Sequence, residues 1–215
     1  MLGRLEVLGG LLETGVVAIV RLDSAASLQR VAEAIAAGGV RHIEFTMTTP
    51  GALRTLEEAT DRFGDGVVFG AGTVLDAETA RSAILAGARF IVAPNLNPAV
   101  IHLCNRYGVV SMPGALTPTE ILQAWELGAD VVKVFPCSTF GPGYLKAVLA
   151  PLPHVRLAPV GGVDLHNVTD YIRAGAACVG VGSSLVSNAL VAGGDWPALT
   201  ARARGFVEGV KQGRR

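Results

Sequence analysis

The chain has 215 residues, half of them hydrophobic, with 17% charged and a formal net charge of zero. A chain of this size buries roughly 70% of its unfolded surface, so its core is ample, while its charged share lies below the roughly 25% usual for soluble proteins. The neutral balance argues against nucleic acid or an anionic membrane as a partner, and the scarcity of charge fits a protein that hides surface in an oligomer.

In chain order, a first helix is expected over residues 2–13. Eight short apolar runs then read as strands: residues 16–21, 40–46, 67–70, 90–93, 109–112, 131–135, 155–159 and 178–181. They lack strict alternation, as expected of parallel strands covered on both faces. Amphipathic stretches between them predict helices over residues 25–37, 51–63, 77–86, 98–107, 118–127, 143–149 and 165–174, and a last helix follows over 196–210. Ser24, Asp76, Asn97, Thr117 and Asp164 stand where N-caps belong. Glycines at 38–39, 87, 128 and 175 each end a helix and precede a strand, the place of a left-handed terminator.

Eight βα units without a break in composition predict an α/β chain, a single (β/α)₈ TIM barrel domain over residues 1–215, with an added helix at each end. An open doubly wound sheet is the competing architecture. Against it, Arg21-Leu22-Asp23-Ser24 follows the first strand in place of a Gly-x-Gly-x-x-Gly turn. Cys104, Cys137 and Cys178 are odd in number and widely spaced, which predicts a reducing, cytoplasmic compartment and no disulfide framework. The four histidines show no metal-ligand spacing with them, no apolar run is long enough to cross a bilayer, and the opening residues, with Arg4, Glu6 and Glu13, lack a signal-peptide core.

Barrel sites form at the C-terminal ends of the strands. Lys133 lies inside the apolar sixth run and is one of only three lysines, the others being Lys146 and Lys211. Burial lowers an ammonium pKa, and a neutral amine can attack a carbonyl and form a Schiff base. A lysine whose head snorkels to water is the plainer alternative. Glu44 is a second ionisable residue in an apolar strand, and alternation puts His42, Glu44 and Thr46 on one face. Glu44 and Lys133 together read either as acid/base and nucleophile or as a buried ion pair that only holds the barrel interior.

Val160-Gly161-Gly162-Val163 ends the seventh strand, and Gly182-Ser183-Ser184 opens a short helix after the eighth. Both suit phosphate, because glycine lets main-chain N–H groups approach an anion. Tight βα turns would use the same glycines. Gly70-Ala71-Gly72-Thr73 is expected to turn the chain close to a substrate, with Thr73 supplying a hydroxyl. His42 reads as a satisfied core histidine, Cys137 as a small apolar filler, and Lys146 and Lys211 as solvated helix residues.

The segments Ile43-Glu44-Phe45-Thr46, Gly70-Ala71-Gly72-Thr73-Val74, Met112-Pro113-Gly114, Val132-Lys133-Val134-Phe135-Pro136 and Pro159-Val160-Gly161-Gly162-Val163 occur in order. Together they resemble the 2-keto-3-deoxy-6-phosphogluconate (KDPG) / 4-hydroxy-2-oxoglutarate (KHG) aldolases, from about Gly15 to Leu185. The resemblance implies a metal-independent, cofactor-free class I aldolase, usually a homotrimer, acting on a phosphorylated keto acid. By position it implies Lys133 as Schiff-base lysine and Glu44 as general acid/base. Arg21 and Thr73 would bind the carboxylate region, Pro94 and Phe135 would line the pocket, and Gly161, Gly162 and Ser183 would hold the phosphate.

Two positions depart from the pattern. Some members carry arginine where this chain has Thr48. Threonine is common before the Gly-Gly pair in phosphogluconate-type enzymes, whereas Val160 is the form seen in aldolases for the C4-epimeric phosphogalactonate. A phosphosugar isomerase or synthase of the same shape, with Lys133 as an electrostatic group, and a non-catalytic phosphometabolite-binding barrel are the readings from other classes.

Overall fold

The computed structural model describes residues 2–21 and 27–215. Among them, helix α1 (Arg4–Thr14) precedes β1 (Val16–Val20), α2 (Leu28–Ala37), β2 (His42–Thr46), α3 (Ala52–Phe63), β3 (Val68–Gly72), α4 (Ala77–Leu85) and β4 (Phe90–Val92). Then come α5 (Pro98–Tyr107), β5 (Val110–Met112), β6 (Gly114–Ala115), α6 (Pro118–Glu126), β7 (Val132–Val134) and α7 (Gly141–Leu149). The chain ends with β8 (Leu157–Pro159), α8 (Val168–Arg173), β9 (Val179–Val181), α9 (Asn188–Ala192) and α10 (Trp196–Gly213).

The strands are parallel, in the orders β5-β4-β3-β2-β1-β9 and β6-β7-β8. Two junctions join the sheets into a (β/α)₈ barrel. Proline at 113 has no N–H, so it separates β5 from β6. Its carbonyl still accepts from Lys133 N at 2.9 Å, and Ser111 O accepts from Asp130 N at 3.1 Å. On the other side a parallel bridge pairs Val160 with Gly180. The two-residue β6 was not expected, since nothing in a Met-Pro-Gly run signals a strand that resumes after proline.

Two apolar layers form the core. The larger lies between the strands and the outer helices, with Ile43, Phe45, Phe69 and Phe206 among its members. The smaller fills the barrel, where Val17, Val68, Phe90, Val110, Met112 and Val131 meet Val7, Leu8 and Leu11 of α1. Helix α1 thus plugs the N-terminal mouth of the barrel and leaves the C-terminal mouth open.

Local signals behave as expected at most ends. Side chains of Asp76, Asn97 and Thr117 accept from Thr79 N, Ala99 N and Glu120 N, and Gly39, Gly87, Gly128 and Gly175 have φ between 91° and 103°. Ser24 and the expected first turn of α2 lie outside the described residues. Asp164 caps an earlier turn, accepting from His166 N and Asn167 N at 2.8 and 3.1 Å, so α8 starts later than expected, with Asn167 at its N-cap. After β9, Gly182 O accepts from Leu185 N and Val186 N in a single turn, and α9 begins only at Asn188.

Candidate active site

Strand β2 carries polar side chains at three depths inside the barrel. His42, nearest the plugged end, is buried, and its Nε2 donates to Val7 O at 3.2 Å. Its Nδ1 has no hydrogen-bond partner among the described residues. Burial pushes the imidazole pKa down to about 4, so the ring is neutral near pH 7. It is the core histidine the strand pattern predicts, but satisfied at only one of its two nitrogens.

Glu44 lies one step nearer the open mouth and is 2% exposed. Its carboxylate occupies the space over Gly72, where an added Cβ would fall on the carboxylate itself. Gly70 likewise makes room for the Phe90 ring. Both glycines therefore belong to β3, which runs two residues beyond its expected end, and they serve clearance rather than a turn. The chain turns after them at Thr73, the one non-glycine residue with positive φ (57°) among the described residues. A β-branched residue in that region costs of order 1–3 kcal/mol and persists only where its surroundings enforce it.

Lys133, 6% exposed, projects into the same interior from β7, beside Gly114 of β6 and Ala158 of β8. Burial holds its pKa below the ordinary lysine range, with Arg21 acting in the same direction and Glu44 opposing. Burial raises the pKa of Glu44, against the pull of Lys133 and Arg21. Burial thus pushes both groups toward their neutral forms, while each pulls the other toward its charged form. Among the described residues, no direct ion pair or hydrogen bond holds either head group.

Above them opens a cleft of about 510 Å³. Arg21, Phe135, Gly161, Gly162, Gly182 and Ser183, all singled out from sequence, border it. Arg21 stands exposed just past β1, one residue beyond the strand it was expected to end. Gly161 and Gly162 have φ of 90° and 77°, and a Cβ at Gly162 would come within 2.8 Å of Ser138 Cβ. Two consecutive left-handed residues packed this closely admit little but glycine. Glu44 pairs in register with Ile19, which lines the cleft, and Lys133 lies two residues before Phe135, with Nζ 4.9 Å from that ring's centroid. Glu44 and Lys133 do not themselves border this cleft, and neither do Thr73 and Pro94. The latter two follow β3 and β4 on the side of the barrel that carries Glu44, and the Pro94 main chain packs directly against Gly114.

Of the other lining residues, Val160 is the one the sequence singles out before the Gly-Gly pair; Ile19 and Gly180 are not. Ile19, Val160 and Gly180 form an apolar wall, where a Cβ on Gly180 would approach Val160 Cγ2 to 2.7 Å. Strand parity could have found Ile19 and Gly180, each two residues before a named mouth residue. Ser187 and Asn188 at the start of α9 complete the rim. Thr46 is fully buried, its hydroxyl accepting from Thr48 Oγ1 at 3.3 Å and lying 3.3 Å from Thr49 Oγ1. A neutral hydroxyl cluster therefore stands where some aldolases of the resembled family have a guanidinium.

A buried lysine and a buried glutamate in one barrel interior, each two residues deeper than a glycine-edged mouth, fit carbonyl condensation chemistry. The family model for KDPG and KHG aldolase matches residues 9–202. The chain belongs to this aldolase family. It is a carbon–carbon lyase. A "probable 2-dehydro-3-deoxy-6-phosphogalactonate aldolase" of Rhizobium meliloti is 38% identical over 183 residues, covering 85% of this chain and 86% of the relative. A "2-dehydro-3-deoxy-phosphogluconate aldolase" of Treponema pallidum is 36% identical over 86% of this chain and 89% of the relative. Among solved structures, KDPG aldolase from Legionella pneumophila, with pyruvate captured as a covalent carbinolamine, superposes with a TM-score of 0.85 at 27% identity, covering 92% of this chain and 97% of that one.

Of the remaining sequence expectations, Cys104, Cys137 and Cys178 are free and buried, and burial pushes Cys104 and Cys178 up to about 12. Lys146 and Lys211 are exposed helix residues. Among the described residues, no helix is long and apolar enough to cross a membrane.

Proposed function

We propose that the chain, one functional domain over residues 1–215, cleaves 2-dehydro-3-deoxy-6-phosphogluconate to pyruvate and glyceraldehyde 3-phosphate through a Schiff base on Lys133. The observation that carries this reading is the pair Lys133 and Glu44, both buried inside one barrel and without a hydrogen bond among the described residues, deeper than a cleft edged by Gly161 and Gly162. The free amine of Lys133 adds to the C2 carbonyl. The oxygen leaves as water, carrying one proton from the amine and one from an acid, and an iminium cation remains. Glu44, directly or through a water, takes the C4 hydroxyl proton. The C3–C4 bond breaks, its electrons pass into the iminium to give a neutral enamine, and the aldehyde departs. Protonation at C3 and addition of water then release pyruvate and restore the amine.

Arg21 and Thr73 take the carboxylate end, Pro94 and Phe135 form walls, and Gly161, Gly162, Gly182 and Ser183 receive the phosphate. Two features support the last assignment: the consecutive left-handed glycines, and the single turn that starts at Gly182 across the same cleft. No metal or organic cofactor enters this scheme. The same site would cleave 4-hydroxy-2-oxoglutarate to pyruvate and glyoxylate without using the phosphate region.

One observation favours the C4-epimeric phosphogalactonate as substrate. Val160 lines the cleft beside Ile19 and offers no hydroxyl to the substrate, and the Rhizobium meliloti relative bears the galactonate name. A homotrimer in the cytoplasm completes the proposal, supported by the low charge, by Leu5 and Leu85 standing exposed, and by three free thiols. Pyruvate release from both C4 epimers and from 4-hydroxy-2-oxoglutarate tests the reading. Turnover of at least one phosphorylated epimer is expected, and no pyruvate from any of the three would contradict it.

A further inference from the structure

Phe135 touches both halves of the site. Its ring centroid lies 4.9 Å from Lys133 Nζ. The edge of the ring packs toward Gly161, where an added Cβ would lie 3.6 Å from ring carbon Cε2. The ring is 37% exposed at the mouth, lines the cleft, and shares strand parity with Lys133. The lysine and the glycine turn both lie against this one ring.

We infer that Phe135 is a positioning residue whose ring face holds the Lys133 nitrogen toward the cleft and favours that nitrogen's cationic forms, the ammonium and the iminium. This rests on the Schiff-base reading of Lys133. The chemistry asks for such a partner. The nitrogen alternates between neutral amine, cationic iminium and neutral enamine, inside a barrel where no hydrogen bond holds it among the described residues. An aromatic face attracts a cation without accepting a proton, so it does not block attack by the amine. The charged groups that act on Lys133 are Glu44 from β2, which favours the cation, and Arg21 after β1, which opposes it. The ring adds to the side of Glu44 from a direction that leaves Glu44 free for proton transfer.

Phe135→Leu and Phe135→Tyr separate this role from simple wall packing. Leucine removes the ring face, and tyrosine keeps it. In Phe135→Leu the midpoint of the pH profile for trapping the pyruvate adduct with borohydride is expected to move to lower pH, because the ammonium loses a partner. Its kcat is expected to fall about 3- to 30-fold, the range of a cation–aromatic contact, with KM changed far less. Phe135→Tyr keeps the wild-type midpoint and most of kcat. An unmoved midpoint in Phe135→Leu overturns the inference, as does a Phe135→Tyr variant shifted as far as Phe135→Leu. Failure of the underlying reading looks different: wild-type protein that releases aldehyde yet traps no adduct at any pH.

Discussion

The two mouths of the barrel handle buried polarity in opposite ways. At the plugged end the buried carboxylate of Asp130 is paired and hydrogen-bonded. Arg4 donates to both carboxylate oxygens of Asp130 at 2.8–3.1 Å and to Asn105 Oδ1 at 2.7 Å, and Ser111 N donates to Asp130 Oδ2 at 2.8 Å. At the open end Glu44 and Lys133 are as deeply buried, but among the described residues no hydrogen bond holds them. A buried ionisable group without such bonds is costly, so groups left in that state are available to something that binds. His42 and Glu44 make the contrast within one strand, two residues apart on one face. One histidine nitrogen is tied to the plug helix, and the glutamate stands two residues nearer the open mouth.

This contrast orders the expected effects of substitution. Glu44→Gln keeps the shape over Gly72 but cannot exchange a proton. Its kcat is expected to fall about 10²- to 10⁴-fold while the pyruvate adduct still forms on Lys133. Unchanged turnover would remove Glu44 from the mechanism.

His42 tests the plugged end by pH. The unfolded chain takes up a proton near pH 6.5, which the folded ring refuses until about pH 4. Folding stability is therefore lost as pH falls through that window, by about 3 kcal/mol at its lower edge. Urea unfolding of His42→Gln should lose about that much less between pH 7 and pH 4 than the parent does. Parallel pH profiles would show that the ring does not titrate as described.

Asp130→Ala gives the smallest effect. It strands Arg4 and a buried Ser111 N–H, but the Arg4 side chain is 24% exposed, so the loss is expected at about 2 kcal/mol. Activity per folded molecule should be retained. A fall in kcat at unchanged stability would break the division between the two mouths.

Much of this division can be read from the chain. A lone lysine in a Val-rich run and a glutamate at alternating spacing reveal themselves because charge is rare in strands covered on both faces. The terminating glycines are equally visible, since Gly39, Gly87, Gly128 and Gly175 all take the left-handed conformation. Clearance is what the sequence hides. Gly70 and Gly72 look like turn residues, yet they lie in a strand because Phe90 and Glu44 fill the space above them. The resumption of pairing after Pro113 and the meeting of Ile19 with Val160 and Gly180 in one wall depend on which strands meet across the barrel, and no local pattern carries that.

Borohydride reduction in the presence of pyruvate, followed by peptide mass analysis, tests the central claim most directly. The account predicts one pyruvyl-derived adduct per chain, on the peptide containing Lys133, and none in Lys133→Ala. An adduct on Lys146 or Lys211, or undiminished aldehyde release with no adduct, would contradict it.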